Sequence, residues 1–267
     1  MDASKKFWQY NHAKPEIEIS LLITSYNTQK EFIVDCLHSI EKQKGNFGIE
    51  LVWINDGSDY EKTNFLEVAI NAFKNKKNNL KLKYYKMSEN KGLSFCLHYG
   101  VNKCSNEIIL RMDSDDIMKE NRIMKQINFM NDNPECVMCG ADITSFMFTN
   151  CKMIKYGSSE HPEKLTWEEY KLTKKTWILN HPTLCFRKTA VLAVGNYNKN
   201  LRLPFEDLDL ELRILKHYGF ICNIKEVLVL YRIHGDQITN KNRKASKQNE
   251  IIKKQLVETM IDDSVKI

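Results

Sequence analysis

Short apolar runs alternate, along the first half of the chain, with stretches whose apolar positions recur every three or four residues. Ile17–Ile23 predicts a strand, and Lys30–Gln43 a helix with Phe32, Ile33, Cys36, Leu37 and Ile40 on one face. Ile49–Ile54 predicts a second strand, Tyr60–Lys74 a helix and Leu82–Lys86 a third strand. Gly92–Cys104 places Leu93, Cys96, Leu97, Gly100, Val101 and Cys104 at helical spacing, and Glu107–Met112 predicts a fourth strand. Strand and helix in alternation predict an α/β fold with a mainly parallel central sheet and helices on both faces.

The second half is less regular. Asn121–Met130 and Leu208–Tyr218 predict helices, and Val137–Ile143, Thr183–Arg187, Phe220–Ile224 and Val227–Arg232 predict strands. Thr149–Thr173, of mixed polarity with Gly157 and Pro162, reads as a loop with a short helix. From Asn240 the chain turns polar and basic before a helix over Glu250–Ile261. No linker separates two independent units, so residues 1–240 are expected to form one domain. A nucleotide-binding half (17–116) would be followed by an acceptor half (117–240), with 241–267 as a basic helical tail.

Ligands of parallel sheets bind beyond the carboxyl ends of the strands. Three polar clusters fall there: Thr24–Ser25–Tyr26–Asn27 after the first strand, Asn55–Asp56–Gly57–Ser58–Asp59 after the second, and Asp113–Ser114–Asp115–Asp116 after the fourth. The third holds three carboxylates in four residues. Such crowding is costly unless water or a cation neutralises it, and hard oxygen ligands suit Mg²⁺ or Mn²⁺ shared with phosphates. A solvated turn that caps the following helix is the alternative. An EF-hand is excluded, because Ile117 and Met118 stand where ligands are needed. Asn55–Ser58 reads equally as a tight turn or as a turn whose carboxylate accepts from a nucleobase. Glu206 and Asp207 begin a helix, where acids favour the dipole, and either could serve as a general base. His234 and His181 are open between structural and ligand roles.

At 267 residues with 42% hydrophobic and 28% charged residues, the chain is an ordinary globular protein. Its longest apolar runs are strand-sized, far below the roughly 20 residues that cross a bilayer. The opening Met1–Lys6 lacks the apolar run of a secretory signal. Most of the eight cysteines sit in apolar periodic stretches, and Cys136-x-x-Cys139 has no second pair at zinc-ribbon spacing. These features predict structural thiols and a cytoplasmic location. The net charge of +6 does not predict a nucleic-acid partner. Lys74, Lys76 and Lys77 read as a solvated helix end, whereas Lys241, Arg243, Lys244 and Lys247 suit an anionic surface, so peripheral membrane contact through the tail is an expectation.

In their order and spacing these pieces resemble the family 2 glycosyltransferases of the GT-A fold, a Rossmann-like architecture. The resemblance runs from Ile19–Asn27 through Cys36–Gln43, Asn55–Ser58, Asn90–Ser94 and Asp113–Asp116. It continues through His181–Thr183, Gly195–Tyr197, Glu206–Asp207 and Tyr231–His234. It implies an inverting enzyme that moves a sugar from a nucleoside-diphosphate donor, UDP above all, to a hydroxyl of a glycan or lipid-linked acceptor. It further implies that Thr24, Tyr26, Asn27, Asp56 and Asn90 contact the donor, together with Asp113, Ser114 and Asp115. Asp113, Asp115 and His234 would hold Mn²⁺ or Mg²⁺. Asp207 would be the catalytic base with Glu206 beside it, and His181 and Asp116 would face the acceptor. Two positions depart from the family pattern: Asn55 replaces the usual Asp, and His98 stands where an Arg is common. A sugar-phosphate nucleotidyltransferase would want a glycine-rich loop after the first strand, and Thr24–Lys30 has no glycine. A nucleotide-sugar-binding protein without activity is the other alternative.

Overall fold

The computed structural model describes residues 17–76, 80–149, 152–201, 205–237 and 246–262, with backbone alone over 246–248. The first half follows the predicted alternation: β1 (Glu18–Ser25), α1 (Lys30–Glu41), β2 (Gly48–Asn55), α2 (Tyr60–Lys76), β3 (Leu80–Lys86), α3 (Leu93–Lys103) and β4 (Ile108–Asp113). A two-residue β5 (Ile117–Met118), α4 (Arg122–Asp132), β6 (Met138–Thr149), β7 (Lys152–Ser159), β8 (Lys164–Thr166) and α5 (Trp167–Thr173) come next. The chain then forms a 3-10 turn (His181–Thr183), β9 (Cys185–Arg187), α6 (Lys188–Ala193), α7 (Glu206–Tyr218), β10 (Phe220–Arg232) and α8 (Ser246–Ile261).

All ten strands belong to one sheet, with the path β3-β2-β1-β4-β9-β6-β10-β5 and with β7 and β8 attached to β6 and β10. β3, β2, β1 and β4 are parallel, as are β6 and β10; the short strands β5, β8 and β9 add antiparallel rungs. Alternate side chains of β1 feed opposite faces. Leu22 packs with Leu97 and Val101 of α3 and Leu212 of α7, whereas Leu21 and Ile23 pack with Ile33 and Ile40 of α1 and Ile70 of α2. Each such side chain, taken fully from water, stabilises by about 1.5–3 kcal/mol. This two-sided burial explains why β2 is buried at every position.

Several expectations for the second half are corrected. The stretch read as a loop with a short helix contains β7, which runs antiparallel to β6 and is exposed almost throughout. A strand solvated on both faces carries no alternation of apolar and polar residues to reveal it. The two strands expected over Phe220–Arg232 are one, with register shifts between Ile224 and Val227 and between Val227 and Val229. The C-terminal helix is not a detached tail: Val257 is buried in the same core cluster as α7 residues Leu208 and Leu215, and Lys216 Nζ donates to the Met260 carbonyl at 2.8 Å. The basic residues Lys241, Arg243 and Lys244 lie outside the described residues, as do Lys77 and the side chain of Lys247. No described helix is long and apolar enough to cross a membrane.

Every described cysteine is buried and free, as the sequence pattern predicts. Cys222, Cys139 and Cys185 sit on adjacent rungs of β10, β6 and β9, with Cys136 in the same core cluster. Hydrogen bonds with Cys222 and Cys185, and then burial, push the Cys136 and Cys139 thiols well up, so they act as small apolar groups.

Candidate functional site

Register alone brings the three polar clusters together. Ser25 pairs with Asn55 across β1 and β2, and Thr24 pairs with Asp113 across β1 and β4. The strands therefore end level, and their loops share one rim.

Two loops form a floor at this rim, where the resemblance expects the donor. Asn55 is fully buried; its amide donates to Thr63 Oγ1 and Tyr84 Oη, both at 3.0 Å, while its oxygen accepts from the Ser58 N–H. The departure at this position is thus accommodated, because an amide donates and accepts at once. Asp56 accepts from the backbone N–H groups of Lys91 at 2.6 Å and Gly92 at 3.0 Å, which ties the β2–α2 turn to the β3–α3 loop. Gly57 between them has φ +67°, and a Cβ there would stand 2.3 Å from the Glu89 carbonyl carbon. Asn27 adopts φ 51°; its N–H donates to Ser58 Oγ and its side-chain oxygen accepts from the Asp59 N–H. Tyr26 stands 53% exposed beside this floor, an open aromatic face, whereas Thr24 is buried and Asn90 lies on the surface. His98 is turned away, its ring bonded to the Tyr197 carbonyl.

The acidic turn closes the rim. Carboxylate oxygens of Asp113, Asp115 and Asp116 all lie within 4.8 Å of one another. Arg111, 1% exposed, holds Asp113 with both guanidinium nitrogens, one at 2.8 Å. Burial nevertheless pushes the Asp113 carboxyl above its ordinary range, against the pull of Arg111. Ser114 Oγ shares a 2.8 Å hydrogen bond with Thr28 Oγ1, and Asp115 Oδ2 lies 2.8 Å from His234 Nε2. Asp116 is fully buried and accepts from the Arg232 N–H, while its other oxygen has no partner among the described residues. This corrects the acceptor-facing expectation for Asp116: strand β10 covers it. The arrangement fits a divalent cation, because crowded carboxylates, a buried unpartnered oxygen and an imidazole form a hard, oxygen-rich donor set. Asp113, Asp115 and Asp116 each bring a carboxylate oxygen to that set, and His234 stands beside Asp115.

Arg232 was missed by sequence reasoning and braces this turn. Its Nε donates to the Asp115 carbonyl at 2.7 Å and one terminal nitrogen to Asp35 at 2.7 Å, while its guanidinium lies over Phe32, Phe146 and Phe148 at 4.4–5.5 Å. Arg111 was missed as well. Basic residues inside apolar strands are visible in the sequence, and a buried one needs a carboxylate partner.

The second acidic pair opens α7. Burial, then the charge of Asp207, pushes the Glu206 carboxyl up to about 8. His181 Nδ1 lies 3.6 Å from Glu206 Oε1 and its Nε2 is 3.1 Å from Tyr197 Oη. Burial, reinforced by the Arg111 charge, drives the His181 imidazole well below its usual range, so it is neutral. His181, 9% exposed, packs beside Glu206, which is 6% exposed. Asp207 is half-buried and accepts from the Leu208 N–H. Burial raises its affinity for a proton, while Lys253 of α8 and Arg111 favour its charged form. The Asp207 charge adds to the rise in the Asp113 carboxyl, after burial and Asp115.

A family model described as "Glycosyl transferase family 2" matches residues 20–192, which span β1 through α6 and include the donor floor and the acidic turn. The chain belongs to this family. Among similar proteins, this glycosyltransferase is 31% identical over 225 residues to the amylovoran biosynthesis glycosyltransferase AmsE of Erwinia amylovora, covering 84% of this chain and 79% of the relative. It is 29% identical over 182 residues to the UDP-Gal:alpha-D-GlcNAc-diphosphoundecaprenol beta-1,3-galactosyltransferase of Escherichia coli, covering 67% and 61%. The fold matches that of S. aureus TarS residues 1–349 in complex with UDP, with a TM-score of 0.67 at 15% identity. That match covers 92% of this chain and 66% of the TarS chain, so this glycosyltransferase spans slightly under two thirds of that structure.

Proposed function

We propose that this glycosyltransferase transfers a sugar, with inversion, from a UDP-sugar to a hydroxyl of a glycan or lipid-linked acceptor. One observation carries the reading: a carboxylate cluster with an unpartnered buried oxygen shares a rim with a floor of ordered backbone and an open tyrosine. The name of one relative, a galactosyltransferase that uses UDP-Gal and a diphosphoundecaprenol substrate, supports the donor and the acceptor class.

In this reading Tyr26 stacks on the nucleobase and the Asp56-tied loops fit its edge. Asp113 and Asp115 lie toward the ribose and the diphosphate. A bound Mn²⁺ or Mg²⁺ would stabilise charge developing on the leaving diphosphate. Asp207 takes the proton of the acceptor hydroxyl, whose oxygen attacks the anomeric carbon as the bond to the diphosphate breaks. Glu206, protonated at neutral pH by burial, cannot serve as that base; it packs with neutral His181 and keeps a second negative charge away from Asp207. Nucleoside-diphosphate sugars are cytoplasmic metabolites, which is where this reading puts the enzyme, free or at the membrane surface.

The test is donor hydrolysis by the purified protein across UDP-, GDP- and dTDP-sugars with Mn²⁺, with Mg²⁺ and with chelator. Metal-dependent release of UDP, reduced about a hundredfold or more by Asp115→Asn, is expected. Equal release in the presence of chelator would sink the metal assignment.

A further inference from the structure

A two-stranded ribbon rises from the same rim as the acidic turn. It consists of β6 beyond Phe146 together with β7. Its base is joined to the site: the Phe146 carbonyl accepts from the Ile233 N–H at 2.7 Å, and the Phe146 ring lies under Arg232, which bonds Asp115. Beyond that base the ribbon is in water, with Lys152–Ser158 exposed throughout.

The pairing Phe148 with Met153, Met147 with Ile154 and Thr149 with Lys152 assigns each side chain a face. Phe148 (49% exposed), Met153 (39%) and Lys155 share one; Ile154 (41%), Tyr156 (45%) and Lys152 share the other. No Asp or Glu occurs from Ser145 to Ser159. A partner that packs on one face alone would leave the apolar groups of the other in water. Apolar groups on both faces, each face with its own lysine, suit surroundings that enclose the ribbon: apolar at depth and anionic at the surface. Lysine stems lie along apolar groups while their ammonium heads reach phosphates.

We propose that the β6–β7 ribbon is the membrane-contacting element of this enzyme, seated in the headgroup layer of an anionic phospholipid bilayer. The donor site then opens toward that surface, where a lipid-linked acceptor would lie; this use of the ribbon rests on the function proposed above, but the binding itself does not.

The experiment is flotation of the full chain with vesicles of phosphatidylcholine, with and without phosphatidylglycerol, in the absence of donor. The parent is expected to float with the anionic vesicles and to be released by salt. Each lysine at an anionic surface is worth about fivefold, so Lys152→Glu with Lys155→Glu should weaken binding about thirtyfold or more. Met153→Ser with Ile154→Ser should weaken it about tenfold. Lys241→Ala, Arg243→Ala and Lys244→Ala together should leave most of it intact. A parent that does not float, ribbon variants that float like the parent, or loss confined to the basic-segment variant would each overturn the proposal. So would a parent dimer in sedimentation that Met153→Ser with Ile154→Ser disperses, since a second copy then covers the ribbon. Donor hydrolysis by the same proteins separates the two readings: hydrolysis without flotation removes the ribbon proposal alone, and flotation without hydrolysis removes the proposed function alone.

Discussion

Glu206 and Asp207 are neighbours on one helical turn and differ in burial, and the proposed mechanism draws their roles from that difference. Glu206 titrates near 8 in the folded protein against an ordinary 4.5. Between those values the native state keeps a proton that the unfolded chain has lost, so stability from this site is whole below about 4.5 and is lost as pH rises through about 8. Glu206→Gln removes that loss, and its melting temperature should exceed the parent's by a margin that grows from about pH 4.5 to about 8 and then levels off. Asp207 keeps a raised proton affinity, so the acid limb of kcat/KM should lie above the ordinary aspartate value of about 3.9. Lys253 opposes that rise. Lys253→Met should therefore shift the limb to higher pH, a change that rate–pH profiles of the two proteins would reveal. The acids were legible in the sequence from their place at a helix start. The resemblance also named Asp207 as the base; the difference in proton affinity between the two was not legible, because it depends on burial and on Arg111 and Lys253, which spacing does not bring together.

At the scale of elements, the donor floor depends on a turn that tolerates no side chain. Gly57 holds φ +67° against the Glu89–Asn90 backbone, so Gly57→Ala must open the junction that Asp56 closes. It should cost about 1–3 kcal/mol in urea unfolding and weaken nucleotide binding as well. The elements that built this rim were readable because β1, β2 and β4 are buried on both faces, and the chain writes them as dense apolar runs between clear helical repeats. Beyond Ile143 the reading weakened for a physical reason. β7 is held by backbone pairing and by the Ser158 and Ser159 hydroxyls rather than by apolar packing, and β10 absorbs its irregular register shifts inside one strand, so neither leaves a period in the sequence. The docking of α8 escaped notice because its apolar face is narrow and its partner, α7, precedes it by a long connection.

For the molecule as a whole, one sheet joins the donor floor, the acidic turn and the ribbon, so occupancy of the acidic turn should be felt globally. A cation bound only by the native state at a hundredfold excess over its Kd adds about 2.7 kcal/mol. Mn²⁺ should raise the melting temperature of the parent, chelator should reverse the rise, and Asp115→Asn should abolish it. The buried thiols offer a different view of the same cooperativity. Seven cysteines on several elements are sealed within the fold, and even Cys222 is only 7% exposed. An alkylating reagent in excess can reach them only when the sheet parts, so the pace of alkylation becomes a clock for spontaneous opening. If the sheet opens as one body, the cysteines of β6, β9 and β10 will be capped in step with Cys36 and Cys96 of the first half; if the two halves breathe separately, the clock will show two hands.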